Sequence, residues 1–329
     1  MSDHPPILPA RPPRVHGPGR PARRHDTASP AATVVAAAVL VVALAAAGCA
    51  GPAPVGPSPG RPGIAGLLVA ASGALRITDE GGDLVAFDGP SAPIVAVTSA
   101  AGVVVVATAA GGAAAVSLPG QSPREWRPLE LPDDLSGAVR LMALSPDGGS
   151  IAVAVGDPQG PSFGLEIVDP RSGAARSIAV PRGLNGTPSW LGPGTVAVDV
   201  IEPDGTSAIA TVEIAGGGLT DRRGTGTLVV AAADGSQVAV DDSATGDVLV
   251  GDRAAWESGG GDGMTRLSGP GAVGVEELAM SPDGLRLAIV RRGDGAVSVE
   301  LLVRDGTVWS SSRTLSLSTA DPVSVAWLT

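Results

Sequence analysis

The sequence predicts an all-β protein: a six-bladed β-propeller, with seven blades as the alternative, carried behind an N-terminal apolar signal or anchor helix. Three observations lead there. A Ser-Pro-Asp-Gly turn followed by a short apolar run recurs at a period of about 45 residues, close to the ~40–45 of a four-stranded propeller blade. The two ends of the region 64–329 each carry one half of a hairpin. An apolar run and a proline-rich spacer stand before that region, where an export segment belongs.

The chain divides into four parts: a basic n-region at 1–30, an apolar h-region or anchor at 31–48, a linker at 49–63 and the propeller at 64–329. Residues 1–30 are rich in Pro and Arg and have no apolar periodicity. Ala31 to Ala47 is apolar throughout except for Thr33, and at 17 residues it is at the lower limit for spanning a bilayer. Gly48 and Cys49 follow at once. Arginines ahead of the run keep the N-terminus inside and send the remainder out. The pair Arg23-Arg24 has Ala22 before it and His25-Asp26 after it, a poor setting for twin-arginine export. From Ala50 to Gly63, five prolines in fourteen residues rule out helix and inner strand, so this segment is an extended spacer.

The repeat is clearest at Leu144-Ser145-Pro146-Asp147-Gly148 and Met280-Ser281-Pro282-Asp283-Gly284, which align without a gap through Val153 and Ile289. Pro fixes φ, Asp bonds back to the local backbone and Gly accepts positive φ, which together make a tight turn. Apolar residues on both sides make the turn the tip of an antiparallel hairpin. Ala232–Val240 is a weaker copy, Ser99–Val105 keeps the Ser and the Gly, and Trp190–Val198 is a shortened version. Third strands follow at Gly164–Asp169, Ile209–Ile214 and Val297–Val303, and a more polar fourth strand at Ala175–Val180. Inner strands read as apolar throughout, and no helical periodicity is seen after residue 63.

Gly66–Ala71 looks like a second strand without a first, and Val323–Thr329 like a first strand without a second. Trp327-Leu328 matches Trp190-Leu191. One blade is therefore expected to be assembled from both termini, a closure that removes free sheet edges. Shared among six blades, 266 residues (64–329) give about 44 each, again near the known blade length.

The Ser-Pro-Asp-Gly-x-x-Ile/Leu-Ala repeats resemble the WD40-like propeller repeats of the TolB type, strongly at 145–153 and 281–289 and moderately at 232–240. Leu44-Ala45-Ala46-Ala47-Gly48-Cys49 resembles a bacterial lipobox, with Ala46 where Leu is usual. That resemblance implies cleavage before Cys49 and lipidation of its sulfur by diacylglycerol, the attachment that goes with palmitate; an uncleaved anchor and a chance Cys are the alternatives. The whole is similar to actinobacterial lipoprotein propellers, in particular the C-terminal propeller of the LpqB lipoproteins. Those proteins carry extra domains between anchor and propeller, where this chain has a short linker. The resemblance implies a fold and a place on the outer face of the cell membrane, and supplies no catalytic residues.

Composition narrows the chemistry. The net charge is −11; removing the five Arg and two Asp of residues 1–48 from 22 and 33 leaves 17 against 31, or −14. Such a surface repels phosphate backbones and excludes nucleic acid as a partner. All three histidines, His4, His16 and His25, precede the apolar run, and Cys49 is the single cysteine. Ser-His-Asp and Cys-His catalysis, His-ligated zinc and an internal disulfide are excluded from the region beyond. No catalytic, cofactor-binding or metal residue is assigned and no cofactor is expected. The acidic groups at Asp133-Asp134, at Asp199 with Glu202 and Asp204, and at Asp241-Asp242 with Asp247 match no calcium-loop pattern and read as solvated loops. Ser258–Gly263 and Gly216–Gly218 lack a following Lys-Ser/Thr and read as inter-strand loops. Trp126, Trp256 and Trp309 read as blade packing, with partner or sugar contacts as the alternative.

Two functions fit: a non-catalytic binding scaffold for an envelope protein, peptide or glycan, or an extracytoplasmic metal-dependent hydrolase or lyase. The lack of His beyond residue 25 and the single Asn, Asn185, weigh against the enzyme.

Overall fold

The computed structural model describes residues 65–328, apart from 119–124, 130, 132–140, 157–162, 180–185, 202–203, 206, 224–225, 243, 260–262, 268–273 and 294–295. The n-region, apolar run, linker and Cys49 lie outside the described residues, as do Asp133, Asp134, Asn185 and Glu202.

The chain forms six four-stranded antiparallel sheets, as the repeat predicts. Blade 1 holds β1 (Leu67–Ala71), β2 (Ala74–Thr78) and β3 (Leu84–Ala86); blade 2 holds β4 (Ile94–Ala100), β5 (Val103–Thr108), β6 (Ala113–Ser117) and β7 (Arg127–Pro128). Blade 3 is β8 (Met142–Leu144), β9 (Ile151–Gly156), β10 (Phe163–Val168) and β11 (Ala175–Ala179); blade 4 is β12 (Ser189–Trp190), β13 (Thr195–Ile201), β14 (Ser207–Glu213) and β15 (Gly218–Arg223). Blade 5 is β16 (Val229–Ala231), β17 (Gln237–Asp242), β18 (Asp247–Asp252), the one-turn helix α1 (Arg253–Glu257) and β19 (Met264–Leu267). Blade 6 is β20 (Val275–Met280), β21 (Arg286–Gly293), β22 (Ala296–Asp305) and β23 (Val308–Leu317), after which β24 (Ser324–Trp327) returns to blade 1.

The closure expected from the two termini is present. β24 pairs antiparallel with β1, Leu67 opposite Trp327 and Val69 opposite Val325, and becomes the innermost strand of blade 1. Second strands are buried on both sides because blades flank them: Val104, Val105 and Val106 of β5 are fully covered. The outermost β23 is exposed along most of its length. Each interface between neighbouring blades holds one apolar cluster. The cluster between blades 6 and 1 places Leu67, Val69 and Trp327 against Ala288, Val290 and Val299, so the ring is sealed by packing as well as by strand pairing.

The repeated turn works as its residues suggest. Gly148 N–H donates to Ser145 O (2.8 Å), Gly149 N–H to Asp147 Oδ1 (3.0 Å), and Ser150 N–H to Ser145 Oγ (2.9 Å). Around Ser281 the same set recurs: Gly284 N–H to Ser281 O (2.9 Å), Leu285 N–H to Asp283 Oδ1 (3.0 Å) and Arg286 N–H to Ser281 Oγ (2.9 Å). Gly148 and Gly284 have φ of 69° and 68°, the left-handed region that glycine accepts without strain.

Three expectations need correction. The Ser99 copy has a tighter turn than its alignment implies: Ala100 pairs directly with Val103 around a two-residue loop, Ala101 (φ 47°) and Gly102 (φ 72°), so it is Ala100 that takes the place of Ser145. A helix does follow residue 63, but α1 is a single turn, too short for a periodic apolar face to show in sequence. Inner strands are not apolar throughout, since β20 carries Glu276 and Glu277. An inner strand has blades beside it but an open channel in front, and that side tolerates polar groups.

Of the tryptophans outside the inner strands, Trp256 is buried against Leu191, Val238 and Val240. Trp126 and Trp309 are half-buried against blade cores, so the packing reading holds. Trp327 is the larger structural anchor: it is 2% exposed, its Nε1–H donates to Ala279 O of blade 6 (3.0 Å), and the Arg286 guanidinium stacks 4.8 Å from its ring centre. Trp327→Ala is expected to cost about 3–5 kcal/mol. Val308→Ala, at a position 64% exposed, should stay within about 0.5 kcal/mol of wild type. Urea unfolding followed by circular dichroism measures both.

Candidate functional site

An innermost strand is the free edge of its sheet, so half its backbone groups face the channel and need partners. Side chains of adjacent blades supply several. Leu144 N–H donates to Thr98 Oγ1 (3.0 Å), carrying blade 3 onto blade 2. Val97 N–H donates to Ser324 Oγ (3.1 Å), linking blade 2 to blade 1, and Val325 N–H donates to Glu277 Oε1 (3.0 Å), linking blade 1 to blade 6. Ser324 Oγ also donates to Glu277 Oε1 (3.1 Å). Trp190 Nε1–H donates to Ala143 O (2.9 Å), the counterpart of the Trp327 bond at the seam.

The residue that closes each blade's first hairpin is Ser145, Leu191, Ala232, Ser281 or Leu328. Four places before it stand Leu141, Thr187, Leu228, Glu277 and Ser324, one per blade. In blade 2 the equivalent place, four before Ala100, is Ala96, and the bulged Val95 beside it lines the mouth. These residues encircle the channel where it widens. Above them a mouth of about 840 Å³ opens. Its rim is made from Ser72, Pro93, Ala109, Arg292 and the Ala320–Pro322 connection. Below lies a narrower shaft of about 160 Å³ lined by apolar residues including Met142, Trp190, Met280 and Trp327.

Four charged side chains face the mouth: Glu276 and Glu277 from β20, Arg292 from the end of β21, and Asp321 from the connection before β24. Arg292 is already engaged. Its Nε–H pairs with Glu276 Oε1, and its Nη groups donate to the carbonyls of Thr319 (3.2 Å), Ala320 (3.4 Å) and Asp321 (2.9 Å). Glu277 stands deeper, at the floor. Its carboxyl opens onto the channel, so it keeps some solvent contact, yet protein surrounds it on every side. Burial is the main force pushing its pKa up from 4.5 to about 8; the bonds from Val325 and Ser324 pull down and the Glu276 charge adds to the rise.

The acidic groups noted in the sequence do other work. Asp241 is buried and accepts from Thr227 N–H (2.7 Å), Leu228 N–H (2.6 Å) and Thr227 Oγ1–H (3.0 Å), tying the entry of blade 5 to its second strand. Asp199 occupies the same place in β13 and is also buried. Asp242 and Asp247 pair with Arg266 (3.3 and 2.6 Å), while Asp204 is exposed. Among the described residues no three acidic, His or Cys side chains gather as a metal site would require. Gly216 and Gly217 lie in the turn between β14 and β15, and Gly218 opens β15.

Glu277 escaped the sequence reading, although its signal was there. At the place that Leu141, Thr187, Leu228 and Ser324 fill in other blades, it is the one ionisable residue.

No protein-family model matches the chain, and no curated protein matches it. Its fold is similar to that of several solved structures. A putative TolB from Agrobacterium tumefaciens has TM-score 0.53 at 17% identity over 80% of this chain and 93% of that one. TolB from Acinetobacter baumannii has 0.58 at 17% identity over 82% and 69%. A chain of a nidogen/laminin complex has 0.56 at 16% identity over 80% and 97%. At such identities the likeness is one of fold.

The raised Glu277 pKa fixes the sign of a pH effect. Between pH 4.5 and about 8 the folded chain keeps a proton that the unfolded chain has released, so stability falls as pH rises through that window and levels off above it. One such group contributes at most about 1.4 kcal/mol per pH unit. Denaturant unfolding of wild type and Glu277→Gln from pH 5 to 9 is expected to show the variant gaining stability over wild type as pH rises, with a constant difference past pH 8.5.

Proposed function

We propose that the chain is a lipid-anchored extracytoplasmic propeller of the actinobacterial type, similar in its repeats to the LpqB propeller, and that it acts as a non-catalytic binding scaffold in the cell envelope. The mouth of the channel is where an envelope protein, peptide or glycan docks. One observation carries this reading: a concave mouth of about 840 Å³, with Thr187, Glu277 and Ser324 as polar groups at its floor and turns from three blades at its rim. Ligand sites in folded proteins take this form, concave with a few converging polar groups. The fold alone does not choose a ligand, so the assignment rests on the mouth. The apolar run, the lipobox-like Leu44–Cys49 and the proline-rich spacer support the compartment.

Two experiments test it. Ala320 is exposed at the rim, so Ala320→Trp fills the mouth without touching a blade core. Crosslinking in intact cells should recover an envelope partner with wild type and at least tenfold less with Ala320→Trp; equal recovery removes the mouth as the docking place. For the anchor, Cys49→Ser should abolish incorporation of a palmitate analogue and release the chain from membranes. Membrane retention without label would assign the apolar run as an uncleaved anchor.

A further inference from the structure

We infer that the channel mouth receives a cationic group, an ammonium or a guanidinium, and that Glu277 is the residue that holds it. This rests on the mouth being a binding site and names the ligand chemistry that the site selects. The hydrogen bonds of Glu277 among the described residues fall on Oε1, which accepts from Val325 N–H and Ser324 Oγ–H. Oε2 takes no hydrogen bond among the described residues, and Glu277 lines both the wide mouth and the narrow shaft. An incoming group therefore meets a carboxyl already fixed in place by the seam, with one oxygen free.

The surrounding charges set the sign of the ligand. Among the described residues Arg292 is the one cation that lines the mouth, and Glu276 together with three backbone carbonyls already satisfies it. Its pairing with Glu276 is close to neutral, which leaves Asp321 at the rim and Glu277 at the floor without a matching positive charge. An anion would face both of these and the −14 of residues 49–329. A cation passes Asp321 on entry and ends against Glu277, where the shaft walls shield the pair from water and strengthen it. Among the described residues, no charged side chain of β4, β8, β12 or β16 lines the mouth or shaft.

The exchange is balanced in protons. Near pH 7 the buried carboxyl is mostly protonated. Binding a cation makes the carboxylate the favoured form, and the Glu277 proton leaves to solvent as the ion pair forms. Cation uptake should release close to one proton per ligand at pH 7 and much less at pH 9.5, where the carboxyl is already ionised.

The test uses the full chain in detergent and two peptides that differ by one group: acetyl-Gly-Arg-amide, and acetyl-Gly-citrulline-amide, its neutral near-isostere. Calorimetric titration at pH 7 in phosphate and in HEPES, buffers of different ionisation enthalpy that carry no primary ammonium, reads affinity and proton release together. The arginine peptide should bind at least tenfold more tightly than the citrulline peptide and release close to one proton. Glu277→Gln retains an acceptor for Val325 and Ser324, so the seam should survive, as a melting curve checks; it should lose at least tenfold in arginine-peptide affinity and all proton release. Ala109→Arg, at an exposed rim position, should weaken the arginine peptide while leaving Glu277 intact. Butylammonium tests whether the free amine suffices, or whether the cation must be presented on a peptide. Equal affinity for the two peptides, no binding of any cationic probe, or full affinity in folded Glu277→Gln overturns the inference. Loss of the crosslinked partner in Ala320→Trp but not in Glu277→Gln would keep the binding reading and end this one.

Discussion

The structure depends on the pairing of the last strand with the first. A ring of blades is stable only if every blade has two neighbours, because the second strands carry apolar residues on both faces and need cover on both. Blade 1 lacks an inner strand until β24 arrives from the far end of the chain. Without it, Leu67 and Val69 would face water and the cluster between blades 6 and 1 would lose Trp327, Val323 and Val325. The seam accordingly combines several kinds of bond: ladder pairing with β1, the Trp327 indole on Ala279, the Ser99 hydroxyl on Trp327 O, and Glu277 on Val325. Since β24 joins residues far apart in sequence, the loop-closure entropy of the whole domain is lost before this contact forms.

That arrangement explains why the most unusual group in the channel stands at the seam. The inner strands need side chains to cap their free edges, and in blades 2 and 1 hydroxyls suffice, from Thr98 and Ser324. At the junction of blade 6 with blade 1 the cap is a carboxyl, a stronger acceptor with an oxygen to spare. A hydroxyl would cap Val325 without a penalty for burying an ionisable group. The stability lost in carrying Glu277 is therefore not required by the fold, which is the pattern expected where a residue is kept for what it binds.

Much of the fold was legible because its signals are local and repeated. Ser-Pro-Asp-Gly turns, apolar runs of four to six residues and a period near 45 identify blades wherever two or three copies survive, and Trp327-Leu328 announces the missing half of blade 1 by its likeness to Trp190-Leu191. Less legible was whatever depends on register. The Ser99 copy keeps the right residues but closes on Ala100, one place later, because a two-residue loop replaces a four-residue one. The helix α1 is one turn in a blade connection, set by the docking of Trp256 and an Arg253–Glu257 pair rather than by any periodic face. The site was hidden for a related reason. Glu276 and Glu277 read as two charges at a strand edge; only the ring geometry shows that a bulge at Glu276 pairs it with Arg292 at the rim while Glu277 stands at the floor, a placement that needs the register to be known.

Site and seam share one carboxyl, so ligand binding and ring closure are thermodynamically linked. Raising the pH ionises Glu277 in a poorly solvated place and weakens the closed ring. A cation in the mouth supplies the missing countercharge and restores it, by mass action on the folded state alone. The two effects have the same origin and opposite sign, so the ligand's stabilising effect should grow over the pH range in which the empty ring loses stability. A groove on an outer strand would show no such link, because its charges are solvated whether or not a ligand is bound. Placing the carboxyl at the one joint where the chain closes on itself makes occupancy of the mouth a property of the whole ring.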